Sequence, residues 1–97
     1  MIILDENLEF DWDKGNQYKS LLKHGVTTKE IERAFANDPF TTREDKKHSQ
    51  KERRFKCMGK TNEGRLLFIV FTLRNNKIRA ISARPMSEKE RYIYEKA

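Results

Sequence analysis

The sequence predicts an α+β fold in which an antiparallel sheet of about four to five strands packs against two N-terminal helices and one C-terminal helix. Three observations predict it. Apolar residues at helical spacing occur only between residues 18 and 35 and after Pro85. Between residues 53 and 84 the apolar residues instead alternate or run together. The links within that stretch are short turns, which join antiparallel neighbours, whereas parallel strands need long crossovers. At 97 residues the chain has length for one core, so a single domain over 1–97 is expected.

Leu8, Phe10 and Trp12 alternate with Glu9, Asp11 and Asp13, so 8–12 is expected as a short edge strand with an acidic outer face. Asp13 is the expected N-cap of the first helix, with Tyr18, Leu21 and Leu22 as its apolar stripe and Gly25 as its left-handed stop. Thr27 and Glu30 form a capping box for the second helix, Val26 and Ile31 its hydrophobic staple, and Ile31, Ala34 and Phe35 its buried stripe; Asp38-Pro39 ends it. Phe40 to Arg43 has strand composition, and Glu44 to Lys51, charged and aperiodic, reads as a solvated loop. Then comes a meander. Phe55 and Cys57 alternate with Arg54 and Lys56, Asn62-Glu63-Gly64 turns the chain, and the unbroken run 66–71 suits a central strand covered on both faces. Asn75-Asn76 is the second hairpin turn, 77–84 the last strand, and Pro85 its stop. Ser87 and Glu90 form another capping box, opening a helix that carries Tyr92, Ile93 and Tyr94.

Charge points to the partner class. Lys and Arg number 21 against 15 Asp and Glu, a net +6. Five of those acids and no base lie in residues 1–13, which leaves 21 bases against 10 acids, or +11, on residues 14–97. Such a domain attracts phosphate backbones, acidic proteins or anionic membranes. The run 66–71 is far too short to span a bilayer and no signal-peptide pattern opens the chain, so no membrane role is expected. The lone Cys57 excludes an intrachain disulfide and fits a reducing cytoplasm; alternating in phase with Phe55, it is expected to be buried and inert. Trp12, paired in phase with Phe10, reads as core.

No phosphate-binding glycine loop, His-x-x-x-His pair or Ser/His/Asp set can be assembled, so neither metal nor cofactor is expected. Cations are abundant. Residues 43–60 hold eight bases against three acids, Arg54 and Lys56 among them, a pattern open to a solvated surface as well as to nucleic acid. Arg79 and Arg84 interrupt a strand of otherwise small or apolar residues, and a half-buried guanidinium needs a partner: a phosphate, or a carboxylate such as Glu52 or Glu90. Counting outward from Asn75-Asn76 pairs 74 with 77 and 67 with 84, which brings Arg65 near Arg84. Residues 79 and 84 differ by an odd number, so a regular strand sends them to opposite faces, with Arg79 beside Ile81 and Ala83. A bulge, or the approach to Pro85, would re-aim Arg84. His48 is the best-suited proton shuttle, whereas His24 stands at a helix C-terminus, where capping accounts for it.

A family resemblance runs through these same residues. Phe10-Asp11-Trp12-Asp13, Lys23-His24-Gly25-Val26, Asp38-Pro39, His48-Ser49 with Glu52 and Arg54-Phe55, Gly59, Gly64-Arg65-Leu66-Leu67, Ile78-Arg79, Ile81-Ser82-Ala83-Arg84 and Glu90 occur in an order and at spacings that resemble the BrnT toxins of bacterial type II toxin–antitoxin systems. The resemblance covers about 8–96, leaving 1–7 as an acidic and apolar leader, and departs again at Asn75-Asn76-Lys77. It implies a RelE-like fold, metal-independent RNA cleavage that halts translation, and neutralisation in the cytoplasm by a BrnA-like ribbon-helix-helix antitoxin, expected as a 2:2 assembly that reaches operator DNA through the antitoxin. The motif positions it marks are Lys23, His24, His48, Glu52, Arg54, Arg65, Arg79 and Arg84.

An endoribonuclease of this kind needs a base for the 2′-OH, cations for the charge on phosphorus and an acid for the 5′ oxygen. The expected catalytic set is His48, Glu52, Arg65, Arg79 and Arg84, and the expected RNA-binding set is Lys23, His24, Arg54 and Lys56. His48 or Glu52 is the base; the other, His24 or Lys23, is the acid or a phosphate anchor. The expected product is a 2′,3′-cyclic phosphate. A non-catalytic module that binds nucleic acid, or an acidic protein, is the alternative.

Overall fold

The computed structural model describes residues 8–37, 40–49 and 51–96. The leader 1–7 and the Asp38-Pro39 stop lie outside the described residues. Two helices, α1 (Lys19–His24) and α2 (Thr28–Ala36), precede strand β1 (Phe40–Glu44), a 3₁₀ turn (Lys46–His48), strands β2 (Arg54–Lys60), β3 (Leu66–Arg74) and β4 (Lys77–Pro85), and helix α3 (Glu88–Lys96). The strands form one antiparallel sheet in the order β1-β2-β3-β4, so β3 is internal as its apolar run implies.

The helix signals resolve locally. Thr27 Oγ1 accepts from the Glu30 N–H (3.1 Å) and Glu30 accepts from the Thr27 N–H (3.0 Å), which closes the capping box and starts α2. Ile31, Ala34 and Phe35 then face inward and are buried. Ser87 and Glu90 close the second box in front of α3. Gly25 ends α1 at φ 68°, a left-handed conformation that a Cβ disfavours. Asn75 and Asn76 both take positive φ, 54° and 63°, which matches the β3–β4 turn to the twist of its strands.

The core lies between α2 and the inner face of the sheet, where Phe55, Cys57, Leu67, Ile69, Phe71, Ile78, Ala80 and Ala83 meet the α2 stripe. Phe71 takes the Phe35 ring edge-on at 5.0 Å, a geometry that suits ring quadrupoles, and meets the Phe55 ring tilted by 33° at 5.6 Å. Gly59 lets α2 come close: a Cβ there would lie 3.1 Å from Ala34 Cβ and 3.2 Å from its carbonyl. Cys57 is buried as expected, and desolvation pushes its thiol up to about 12.

Four expectations change. The run 66–71 is not covered equally on both sides, because Leu67, Ile69 and Phe71 are buried while Leu66, Phe68 and Val70 are half-buried. The segment 8–12 forms a single parallel bridge, Phe10 to Ile78, with Asp11 N–H donating to Ile78 O and Ile78 N–H to Glu9 O, both at 2.8 Å. Its Phe10 and Trp12 still pack on the core, and Trp12 Nε1 donates to Glu32 at 2.7 Å. Asp13 does not open α1, because its side chain accepts from Gly15 N–H in a turn and Asn16 is drawn to Asp11 O and Ala80 O. The α1 stripe is reversed as well. Tyr18, Leu21 and Leu22 are exposed, and Ser20 is the buried residue, its Oγ accepting from Ala83 N–H at 2.9 Å.

Candidate active site

Odd and even positions of β3 sort the sheet into two faces. Leu67, Ile69 and Phe71 point to the core; Phe68, Val70 and Thr72 point away from it, each flanked by its register partners. Met58 and Arg84 flank Phe68, Lys56 and Ser82 flank Val70, and Arg54 and Arg79 flank Thr72. Arg43 extends the Lys56 row onto β1. The face opposite the core thus collects Arg43, Arg54, Lys56, Arg79 and Arg84.

A bulge puts the last two there together. Val70 pairs with Ser82 but Phe71 with Ala80, so Ile81 has no partner and the alternation shifts by one. Arg79 and Arg84 therefore share a face despite their odd spacing, and Ala83, opposite Ile69, does not share it with Arg79. The same extra residue moves the partner of Leu67 from 84 to Pro85, while Arg74 pairs with Lys77 as counted.

Neither arginine is free. Asp13 accepts two bonds from Arg79, both 2.9 Å, and Asp11 lies 3.5 Å away; Glu52, a partner considered from sequence, acts on Arg79 only as a nearby charge and takes its hydrogen bonds from Arg74. The Arg79 bond holds the Asp13 carboxyl below the usual carboxylate range, and Asp13 in turn raises Arg79. Arg84 donates to Glu90 at 2.7 and 2.8 Å and lies over the Phe68 ring at 4.5 Å. That pairing, against some opposition from burial, brings the Glu90 carboxyl down to about 2. The Arg79 side chain is 13% exposed and that of Arg84 36%, so Arg84 is the more accessible.

At the rim of this face, where the 3₁₀ turn meets the start of β2, His48, Lys51, Glu52 and Arg54 line a cleft of about 330 Å³. His48, Glu52 and Arg54 were singled out from sequence, and folding brings them into one place. Glu52 is engaged by Arg74 at 3.0 and 3.2 Å. His48 Nδ1 lies 2.9 Å from Asp45 Oδ2, and Lys56 Nζ lies 3.8 Å from the same oxygen. Burial opposes charge on Asp45, but His48 and Lys56 outweigh it and hold the carboxyl below its ordinary value.

Sequence reasoning missed Asp45, Lys51 and Arg74 as site residues. The signal for Asp45 was an Asp-x-x-His spacing, because one 3₁₀ turn eclipses residues i and i+3. It was hidden in a segment read as an unstructured charge run.

The remaining residues gather elsewhere. Arg65, expected beside Arg84, donates instead to Gly25 O at 3.0 Å and to both Glu30 carboxylate oxygens at 3.1 and 3.0 Å. Its odd position in phase with Leu67 sends it to the helix side. Burial opposes charge on Glu30, yet Thr27 and Arg65 together lower its carboxyl. Lys23 and His24 occupy the last turn of α1 at the same corner, ahead of Gly25. Arg65, Lys23 and His24 therefore form a second basic group apart from the cleft. Among the described residues, no three His, Cys, Asp or Glu side chains gather as a metal centre would require. No helix among them is long and apolar enough to cross a membrane.

The domain is a four-stranded α+β fold, sealed by α2 on one sheet face and set with cations on the other. Residues 12–90 match the family model described as ribonuclease toxin, BrnT, of type II toxin-antitoxin system, and the chain belongs to that family. It is accordingly a ribonuclease toxin of the kind that an antitoxin partners. The fold is similar to the crystal structure of the Brucella abortus ribonuclease toxin BrnT, with a TM-score of 0.56 and 20% sequence identity over 84% of this chain and 100% of that one. No curated protein matches the chain in sequence.

Proposed function

We propose that the protein is a metal-independent endoribonuclease that halts translation by cutting RNA at the cleft beside β2. The observation that carries this reading is the convergence of His48, Glu52 and Arg54 on one cleft at the edge of a cationic sheet face. RNA contains its own nucleophile. His48 Nε2 takes the 2′-OH proton, the 2′ oxygen attacks phosphorus, and the bond to the 5′ oxygen breaks, leaving a 2′,3′-cyclic phosphate and a 5′-OH. Arg54 stabilises the charge that develops on the phosphoryl oxygens, and the Lys51 ammonium donates the proton that the leaving oxygen needs. Glu52, tied to Arg74, orients the cleft wall and is the second candidate base. Lys56, Arg79 and Arg84 extend the positive face across the sheet from β2 to β4, the two arginines reaching RNA by exchanging a carboxylate for a phosphate oxygen. Arg65, Lys23 and His24 serve as a remote anchor for the RNA backbone.

The protein works in the cytoplasm, where a BrnA-like ribbon-helix-helix antitoxin holds it in a 2:2 assembly and links it to operator DNA. An acidic segment of that antitoxin covers the cationic face, so association slows as salt rises. A second reading has an observation of its own: Arg79 and Arg84 already have carboxylate partners, as in a module that binds without cutting. Incubating the protein with RNA in EDTA separates the two. Cyclic-phosphate ends, and a loss on the order of 10²–10⁴-fold in His48→Ala, support the enzyme. RNA that is shifted but intact, or unchanged cutting by folded His48→Ala, overturns it.

A further inference from the structure

Behind the cleft, bonded to the ring of His48, stands a carboxylate that the proposed reaction does not use. Asp45 is only 8% exposed, although it belongs to a run of charge. Its place is fixed through the backbone: its N–H donates to Arg54 O at 2.6 Å, and its own carbonyl accepts from Ser49 Oγ at 2.5 Å. Ser49 Oγ also accepts from the Arg54 N–H at 2.9 Å, which clamps the turn onto the first residue of β2. Asp45 stands at the N-cap of the 3₁₀ turn, where an aspartate would ordinarily bind a free N–H, yet its side chain makes no cap bond. The carboxylate goes instead to His48 Nδ1 and Lys56 Nζ.

We infer that Asp45 is the positioning residue of the His48 base, holding the neutral imidazole as its Nδ1–H tautomer so that the Nε2 lone pair faces the cleft. The inference rests on the ribonuclease reading and adds what orients its base. An ionised carboxylate can only accept, so the ring nitrogen beside Asp45 carries the hydrogen and the other nitrogen is the proton acceptor. Lys56 balances the remaining charge on Asp45, which would otherwise repel the phosphate that Arg54 attracts. Without Asp45, an imidazole on an exposed turn is free to rotate and to carry its hydrogen on Nε2, where it cannot act as a base. A tautomer fixed by a buried carboxylate is a recognised requirement of histidine bases.

The test begins without RNA. Two-bond ¹H–¹⁵N spectra of the ¹⁵N-histidine-labelled full chain at alkaline pH report which nitrogen of neutral His48 is protonated. The expected result is Nδ1–H in the wild-type protein, with a change toward Nε2–H in Asp45→Ala. In cleavage assays Asp45→Ala should lose kcat on the order of 10–100-fold, as loss of a supporting partner does, with KM for RNA within about threefold. An Nε2–H imidazole in the wild-type protein overturns the proposal even if Asp45→Ala fails to fold. Full activity in folded Asp45→Ala, with the wild type cutting RNA, overturns the positioning role alone. Intact RNA with the wild-type protein removes the ribonuclease reading and the positioning role with it.

Discussion

The two faces of the sheet carry the same strands and opposite logic. On the inner face Phe55, Cys57, Leu67, Ile69, Phe71, Ile78, Ala80 and Ala83 pack into one apolar cluster, and α2 seals it. On the outer face cations stand on β1, β2 and β4, and carboxylates from outside the sheet, namely Asp11, Asp13, Asp45 and Glu90, partner three of them, Lys56, Arg79 and Arg84. The inner face is held mainly by apolar contact. The outer face is held by charge, and phosphate can compete for each of its pairs. Apolar packing and charge are thus separated across one layer of backbone, so losing an outer-face cation that no ion pair ties down should leave the core nearly untouched.

The largest effects test that separation directly. Phe71→Ala removes a fully buried ring that contacts both Phe35 and Phe55. It should cost about 3–5 kcal/mol in urea unfolding, which on so small a domain threatens folding itself. Arg54→Ala on the neighbouring strand should leave the urea midpoint nearly unchanged and lower RNA cleavage by on the order of 10²–10³-fold. Comparable losses of stability from both variants would show that the faces are not independent.

How far the sequence could be read differs between the faces for the same physical reason. Inner-face positions follow strand alternation, and capping boxes are local, so α2, the meander and the entry to α3 were legible. The outer face depends on what no local pattern carries. The unpaired Ile81 shifts Arg84 onto the face of Arg79 and depends on how β4 meets β3. Arg65 looked like a neighbour of Arg84 until parity sent it to Glu30. The cleft was half legible: His48, Glu52 and Arg54 stood out by type, whereas Asp45, behind it, needed the turn conformation that brings its carboxylate to His48 Nδ1.

An intermediate effect concerns the tether between the outer face and α3. None of the residues of α3 is buried, and Arg84–Glu90 is the bidentate ion pair that ties the helix to β4. The Glu90 carboxyl is depressed from an ordinary 4.5 to about 2 in the folded chain. A depressed acid stabilises the fold above its unfolded value, and that contribution is lost as pH falls from about 4.5 toward 2. Wild-type protein should therefore exceed Arg84→Ala in stability at pH 7, with the gap closing across that acid window. Urea titrations of both proteins at several pH values check it; a gap that widens on acidification would contradict the pairing.

The smallest effect reverses an intuition about α1. By spacing, Leu22 belongs to an apolar stripe and Ser20 to the solvent side, yet Leu22 is 85% exposed and Ser20 is buried against the edge of β4. The reason is a backbone requirement. β4 is the last strand of the sheet and its outer edge is bridged at Ile78 by the segment before α1, so the outward N–H of the fully buried Ala83 has no ladder partner and Ser20 Oγ satisfies it. A six-residue helix has few ways to turn, and an unsatisfied buried donor costs more than an exposed leucine gains. Ser20→Ala, which adds no bulk, should therefore destabilise the domain by about 1–3 kcal/mol. Leu22→Ser, which deletes three carbons and adds a hydroxyl, should stay within about 0.5 kcal/mol of wild type. Urea midpoints for the two variants decide the order. If Leu22→Ser proves the more damaging, α1 packs by its apolar stripe and the serine bond to Ala83 is incidental.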